Sequence, residues 1–348
     1  MIFNNRFVVQ NKVKMVKVGV IGYGYWGPNL VRNFINQKLG TLVAVAESNS
    51  QRHQAIKNQQ PTITLFTDAN DLILSPDIDA VVIATPVFTH YKFAKLALEK
   101  GKHVLLEKPM TSTVAESLEL INLAEKKNLT LMVDHTFLYT GAVDRIKNFI
   151  ESGEIGNLQY FDSTRINLGL FQPDINVLWD LAPHDISILN YITDNKPYSV
   201  NATGVSHTNN GIENVAYMTI NYESNFIAHF NCSWTSPVKV RSTLIGGDKK
   251  IIHYNDLEPS EKVRLYDTGY EHKTMQDRNS ILVDYRVGDV YIPKLSSQEA
   301  LFGVANDFLT SITNATQPRA NATLGMEVVK ILEASQESIK NHGKEVKI

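Results

Sequence analysis

A single cysteine, Cys232, stands in 348 residues. No disulfide can form within the chain and no thiolate metal site can be assembled, and a reducing cytoplasm suits such a composition. No apolar run approaches the ~20 residues that cross a bilayer, so a membrane is not an expected partner. Charge of one sign is also missing: Lys plus Arg is 34 and Asp plus Glu is 36, a net of −2. That balance carries no electrostatic footprint for nucleic acid. No His-x-x-x-His pair suggests a metal and no G-x-S-x-G elbow suggests a serine hydrolase. Internal repeats and low-complexity tracts are absent. The first fourteen residues lack the apolar core and small-residue cleavage site of a signal peptide. Polar residues surround Phe7-Val8-Val9, and Met15 directly precedes the first apolar strand, so residues 1–14 read as a frayed extension.

What is present is ordinary globular composition, 43% hydrophobic and 20% charged, at a length that favours two domains. Residues 15–137 alternate strand and helix. Strand-like runs at 16–21, 41–46, 80–84, 101–106 (closed by Glu107 and Lys108) and 131–133 are joined by helical stretches, one of them with Val114, Leu118 and Ile121 on a single face. Buried strands joined by helices predict a parallel sheet covered on both sides. From 138 to 348 long strands dominate, at 158–168, 198–207, 214–222 and 225–234 and onward to about Leu295. A helix is expected near 141–152, another over about 180–191, and two more over 297–315 and 325–341. Strand 226–234 alternates Phe226, Ala228, Phe230, Cys232 and Trp234 against Ile227, His229, Asn231 and Ser233, the mark of a half-buried antiparallel strand. The fold class is α/β: a dinucleotide-binding Rossmann domain, then an α/β domain with a large, open, mainly antiparallel sheet.

Gly22-Tyr23-Gly24-Tyr25-Trp26-Gly27 fits G-x-G-x-x-G directly after a strand and before a helix, the context the fingerprint requires. Gly22 makes the tight turn, Gly24 admits a pyrophosphate and Gly27 permits close packing, with the helix N-terminus facing the phosphates. Tyr25 and Trp26 lie in the same loop. Glu47 ends the second strand twenty residues after Gly27, placed to accept from ribose hydroxyls and to repel a 2′-phosphate, which favours NAD. Ser48 and Arg52 follow closely and are able to accommodate such a phosphate, so NADP stays open. Thr85-Pro86 and His90 border the crevice after a buried strand and are candidates for the nicotinamide half.

Glu107-Lys108-Pro109 closes another buried strand, so Lys108 points from the carboxyl end where open α/β sheets bind ligands. Alone it reads equally as a solvated turn residue; next to a dinucleotide site it reads as a positioned charge or acid. Far downstream, Trp179-Asp180-Leu181-Ala182-Pro183-His184-Asp185 opens a helix. With Asp180 as N-cap, Pro183 falls in the first turn. Asp180 and His184 share a face, and a carboxylate beside an imidazole favours its protonated form. They form a candidate acid/base pair, or else a cap and a partly buried histidine. His135 ends the last parallel strand. Arg165 and Asn167 share a face of the first long strand, either touching substrate or merely polar positions on a half-buried sheet.

In this order, Gly-Tyr-Gly-Tyr-Trp-Gly at 22–27, Ala-Thr-Pro-x-x-x-His at 84–90, Gly-Lys-His-Val-Leu-Leu-Glu-Lys-Pro at 101–109 and Asp-x-x-x-His-Asp at 180–185 resemble the glucose–fructose oxidoreductase / inositol dehydrogenase / MocA family of NAD(P)-dependent oxidoreductases. The resemblance runs over nearly the whole chain from Met15. It implies that Lys108 hydrogen-bonds the reacting hydroxyl or carbonyl and contacts the nicotinamide ribose, that Glu107 lies in the cofactor site, and that His184 moves the proton with Asp180 in support. It also implies a homodimer or homotetramer built through the second-domain sheet. The segments at 25–29, 135–139, 165–169 and 176–185, the last including Trp179, look like members acting at C3 of nucleotide-linked sugars. A dehydrogenase of a free polyol such as an inositol shares the same catalytic residues, and a cofactor-binding sensor without turnover is the reading of another class.

Overall fold

The computed structural model describes residues 15–272 and 283–348; the extension expected over residues 1–14 lies outside them. The first half runs β1 (Val16–Ile21), α1 (Gly27–Ile35), β2 (Gly40–Ala46), α2 (Ser50–Gln59), β3 (Thr64–Phe66), α3 (Ala69–Leu74), β4 (Ala80–Ile83), α4 (His90–Glu99), β5 (His103–Leu106), α5 (Val114–Lys126) and β6 (Leu131–Val133). The strands are parallel in the order β3-β2-β1-β4-β5-β6. Val18, Val20, Val81 and Leu105 are fully shielded, because helices cover both faces; this is why these strands are apolar without alternation. Strand order reverses at β1 and β4, so their carboxyl ends open a crevice.

Two features of this domain depart from the sequence reading. The α2–β3–α3 stretch was not anticipated: α2 buries only Ile56 and β3 has three residues, too little for a periodic signal. In α5 the fully buried stripe is Ser117, Leu120 and Ala124; Val114 and Ile121 of the expected face pack at the core's edge, while Leu118 is 48% exposed. Both stripes have helical spacing. Packing chose the one whose Ser117 hydroxyl pairs with buried Thr111 at 2.5 Å.

The second half runs α6 (Gly141–Glu151), β7 (Leu158–Leu168), α7 (Val177–Ile192), β8 (Pro197–Val205), β9 (Val215–Tyr222), β10 (Ile227–Ser233), β11 (Thr235–Gly247), β12 (Ile251–Asn255), β13 (Val263–His272), β14 (Val283–Tyr291), α8 (Ala300–Asn314), α9 (Ala322–Lys340) and β15 (Val346–Lys347). A nine-stranded sheet forms in the order β14-β13-β12-β11-β7-β10-β9-β8-β15, with β7 and β10 its parallel pair. Phe226, Ala228, Phe230, Cys232 and Trp234 are all buried, as their alternation requires, and Ile227 on the other face is 48% exposed.

Helices α8 and α9 return to the first domain. Glu299, just before α8, takes two hydrogen bonds from Arg32 of α1 at 2.8 and 2.6 Å, and the Phe34 and Phe308 rings meet edge to face at 6.3 Å. At the start of α9, Ala320 accepts from the Val133 amide at 3.0 Å. The Rossmann sheet is therefore held against the second domain at two places far apart in sequence.

Helix α7 starts four residues earlier than the Asp180 cap predicts. Asn176 is the N-cap, its side-chain oxygen accepting from the Trp179 amide at 3.1 Å. Asn and Asp cap about equally well, and the sequence offered both. Pro183 thus lies inside the helix and supplies no N–H to the carbonyl of Trp179.

Candidate active site

The glycine loop has the local chemistry of a phosphate cradle. Gly22 sits at φ +95°, and a Cβ there would meet the Ala84 carbonyl at 2.7 Å. A Cβ on Gly27 would meet the Gly22 carbonyl at 2.5 Å, whereas one on Gly24 would find nothing nearer than Arg52 Nη1 at 3.9 Å. The turn and the helix start are closed to side chains, and the position facing the pyrophosphate is open. Beyond lies a cleft of about 660 Å³ lined by Gly22, Gly24, Glu47, Ser48, Arg52, Thr85 and Pro86. Thr67, Asp68 and Phe93 also line it; no local pattern marks them, because they come from the short, aperiodic stretch after α2 and from within α4.

Glu47 is 5% exposed. Its Oε2 accepts from the Tyr23 amide at 2.8 Å and from Arg52 at 3.2 Å, and its Oε1 accepts from the Asn49 amide at 2.7 Å. Burial pushes this carboxyl up, but the Asn49 and Tyr23 amides and the Arg52 guanidinium together hold it below its ordinary value. It is ionised, fixed in direction, and still has lone pairs for ribose hydroxyls. Arg52 is bound to that carboxylate, so it is not a free phosphate ligand.

Three expected cofactor residues stand elsewhere. Tyr25 is 83% exposed and Trp26 42%, their rings touching each other at 5.4 Å outside the cleft lining. His90 is 1% exposed, with one ring nitrogen 3.0 Å from the Pro109 carbonyl and the other 2.8 Å from that of Thr85. It ties the end of β4 to the segment after β5, so it shapes the crevice from behind.

Lys108 crosses the crevice. Its Nζ donates to the Asp180 carbonyl at 2.7 Å and approaches Asp180 Oδ1 at 3.4 Å. The Lys108–Pro109 peptide is cis. Asp180 Oδ2 accepts from the Trp234 indole at 3.0 Å. The expected Asp180–His184 pair is therefore corrected: the carboxylate serves Lys108 and Trp234. His184 Nδ1 is buried without a partner, and its ring packs on Phe137 at 5.0 Å. Burial, then the charges of Lys108, Arg165 and Arg241, hold His184 well below its ordinary value, so the imidazole is neutral, the opposite of what a neighbouring carboxylate would cause.

Arg165 forms a fork with Asp185, Nε to Oδ2 at 2.8 Å and Nη2 to Oδ1 at 2.6 Å, with both side chains under 5% exposed. Its guanidinium lies over the Phe137 ring at 4.7 Å. Its Nη1 has no partner, so both of that nitrogen's donors are left over. Asn167, two residues on, is partly buried beside Gly169. Asp185, Trp234 and Phe137 were missed as site residues; each lies in a quoted motif or alternating strand, but nothing local reveals a partner 20 to 54 residues away. Trp179 is 9% exposed and lines a separate cleft of about 560 Å³ with Phe88, Asn176 and Glu213.

Behind Lys108 sit three further ionisable groups. Glu107 Oε2 accepts from the Lys108 amide at 3.2 Å, and Asp134 Oδ1 accepts from the Thr136 hydroxyl at 2.7 Å. His135 is 1% exposed with neither ring nitrogen partnered; burial, then Lys108, push it down to about 3. Among the described residues no cluster of three or more His, Cys, Asp or Glu is arranged to hold a metal. No helix among them is long and apolar enough to cross a membrane.

Residues 16–135 match the family model described as an oxidoreductase family, NAD-binding Rossmann fold, and residues 143–253 match the GFO/IDH/MocA C-terminal domain. The uncharacterized oxidoreductase YdgJ of Escherichia coli is 33% identical over 181 residues, 49% of this chain and 51% of that protein. The UDP-N-acetylglucosamine 3-dehydrogenase of Acidithiobacillus ferrooxidans is 30% identical over 213 residues, 59% of this chain and 64% of that protein. The chain thus matches between about half and two thirds of the length of these curated relatives. The solved structure of the Acidithiobacillus ferrooxidans enzyme superposes with a TM-score of 0.77 at 22% identity, covering 95% of this chain and 99% of that one, a likeness of fold. With an NAD-binding Rossmann domain and its partner domain both matched in order, the chain belongs to the Gfo/Idh/MocA family of oxidoreductases.

Proposed function

We propose that this chain is an NAD-dependent oxidoreductase acting on C3 of a nucleotide-linked hexose. The observation that carries the proposal is Lys108 of the Rossmann domain bonded to Asp180 of the second domain, beside a neutral, half-buried His184. Bound NAD supplies the hydride acceptor. In the oxidising direction, with the hydride leaving to that cofactor, the neutral imidazole of His184 would take the hydroxyl proton as the C=O bond forms. An ammonium has three donors; Lys108 aims two of them at Asp180, leaving one for the oxygen on which charge develops. The spare Arg165 donors and His135 would serve further hydroxyls of the substrate. Glu47, ionised and fixed, favours NAD over NADP.

The relative that acts on UDP-N-acetylglucosamine and the cleft beside Trp179, of a size that suits small-molecule ligands, support a sugar nucleotide over a free sugar. On the outer face of the large sheet Tyr217, Ile227, Leu244 and Tyr285 are exposed; on the same reading that face joins copies of the chain into a dimer or tetramer. The lone buried thiol of Cys232 suits the cytoplasm.

The test is thermal shift with NAD present, comparing UDP- and dTDP-hexoses with free polyols, followed by absorbance of reduced nicotinamide. Stabilisation and turnover with a sugar nucleotide are expected. Stabilisation by free polyols alone would move the substrate to that class, and no reduced cofactor with any sugar would leave a sensor.

A further inference from the structure

Strands β5 and β6 pair Leu106 with Val133, so the next residues, Glu107 and Asp134, leave adjacent strand ends about 4.8 Å apart. Asp134 is 1% exposed, and its Oδ2 has no hydrogen-bond donor aimed at it. Its other oxygen is taken by Thr136, and the free oxygen of a buried carboxylate requires a donor. The Glu107 carboxyl, which interacts with Asp134 by a side-chain hydrogen bond, is able to supply one when protonated.

We propose that Glu107 and Asp134 share a single proton and act as a positioning pair for Lys108, holding its main chain through Glu107 and keeping one negative charge behind it. This rests on the reading of Lys108 as the clamp on the reacting oxygen. Two carboxylates at strand spacing, Asp134 fully buried and Glu107 half-buried, do not both ionise cheaply. The directions agree: burial first, then the charge of Asp134, raise Glu107, and burial raises Asp134 against the pull of Thr136 and Lys108. The charged or titratable groups around the pair are few. Lys108 lies on the same strand end and His135 follows Asp134 directly; His90 at the start of α4, Asp180 and His184 of α7, and Arg165 of β7 connect to the pair through Lys108. With one shared proton, Lys108 meets one negative charge behind and one in front, at Asp180. A second charge behind would draw the ammonium away from Asp180 and the substrate.

Infrared difference spectra of the full chain against E107Q and against D134N provide a readout independent of turnover. At pH 7 the wild type is expected to show a protonated-carboxyl C=O band that both variants lose, since Asn at 134 lets Glu107 ionise. A merely buried Glu107 would keep the band in D134N, and absence of the band from the wild type would overturn the proposal. In turnover, each single variant is expected to lose about tenfold and the double variant about 10³-fold or more, because only the double removes the charge. The alkaline limb of kcat/KM, expected near the second titration of the pair, disappears in E107Q. A double variant equal to either single would sink the idea. If no sugar gives turnover, the function reading fails while the infrared result still decides the pair.

Discussion

The Lys108 ammonium donates to the main-chain carbonyl of Asp180 at 2.7 Å, across 72 residues and across the crevice between two domains. It fastens a Rossmann strand end to a helix of the second domain where the substrate is expected.

Lys108→Ala removes the clamp without touching the glycine cradle. Turnover is expected to fall by about 10²–10⁴-fold, with NAD affinity changed by less than about threefold, since the cleft at Glu47 is remote. Steady-state kinetics beside an NAD titration checks both. Undiminished turnover would remove Lys108 from the chemistry.

Glu47→Gln keeps the shape and loses the charge. The ratio of kcat/KM for NADP to that for NAD is expected to rise by about tenfold or more, since the repulsion of a 2′-phosphate is gone and Arg52 is released. An unchanged ratio would show that Glu47 only braces the Tyr23 and Asn49 amides.

Asp185→Ala leaves the Arg165 guanidinium buried and unpaired, a change that costs about 3–5 kcal/mol. Asp162→Ala, at the half-exposed contact with His229, is expected to stay within about 0.5 kcal/mol. Urea unfolding at pH 7 gives both values. Equal destabilisation would mean the buried fork is no more coupled than a surface pair.

His135 is neutral in the folded chain down to about pH 3, but an exposed histidine in the unfolded chain takes up a proton near pH 6.5. Below that pH the unfolded state binds more protons, so stability falls as pH drops from about 6.5 toward 3 and is intact above 6.5. His135→Phe is expected to narrow the loss in urea midpoint between pH 7 and pH 4.5. A pH dependence identical to wild type would place His135 in contact with water or a partner.

The legible part of this molecule is the part written locally. Strands β1, β6 and β7 fall at their expected bounds because an apolar run between turn residues is a short-range signal. The glycine loop and Glu47 were readable because strand, turn, helix and acid follow one another within about thirty residues. Even the wrong details were local ambiguities: Asn176 and Asp180 are equal as caps, and α5 carries two apolar stripes.

The sequence by itself determined the parallel sheet, the phosphate cradle and the identity of Lys108 and His184 as the residues to watch. Only the tertiary structure decided what state they are in. It set Asp180 against Lys108 and Trp234 instead of His184, brought cationic Arg165 and Arg241 near the imidazole, and closed Glu107 onto Asp134. Charge state depends on burial and on neighbours that chain order does not reveal, and a side chain's partner in a crevice is fixed by the docking of two domains, which no local pattern encodes.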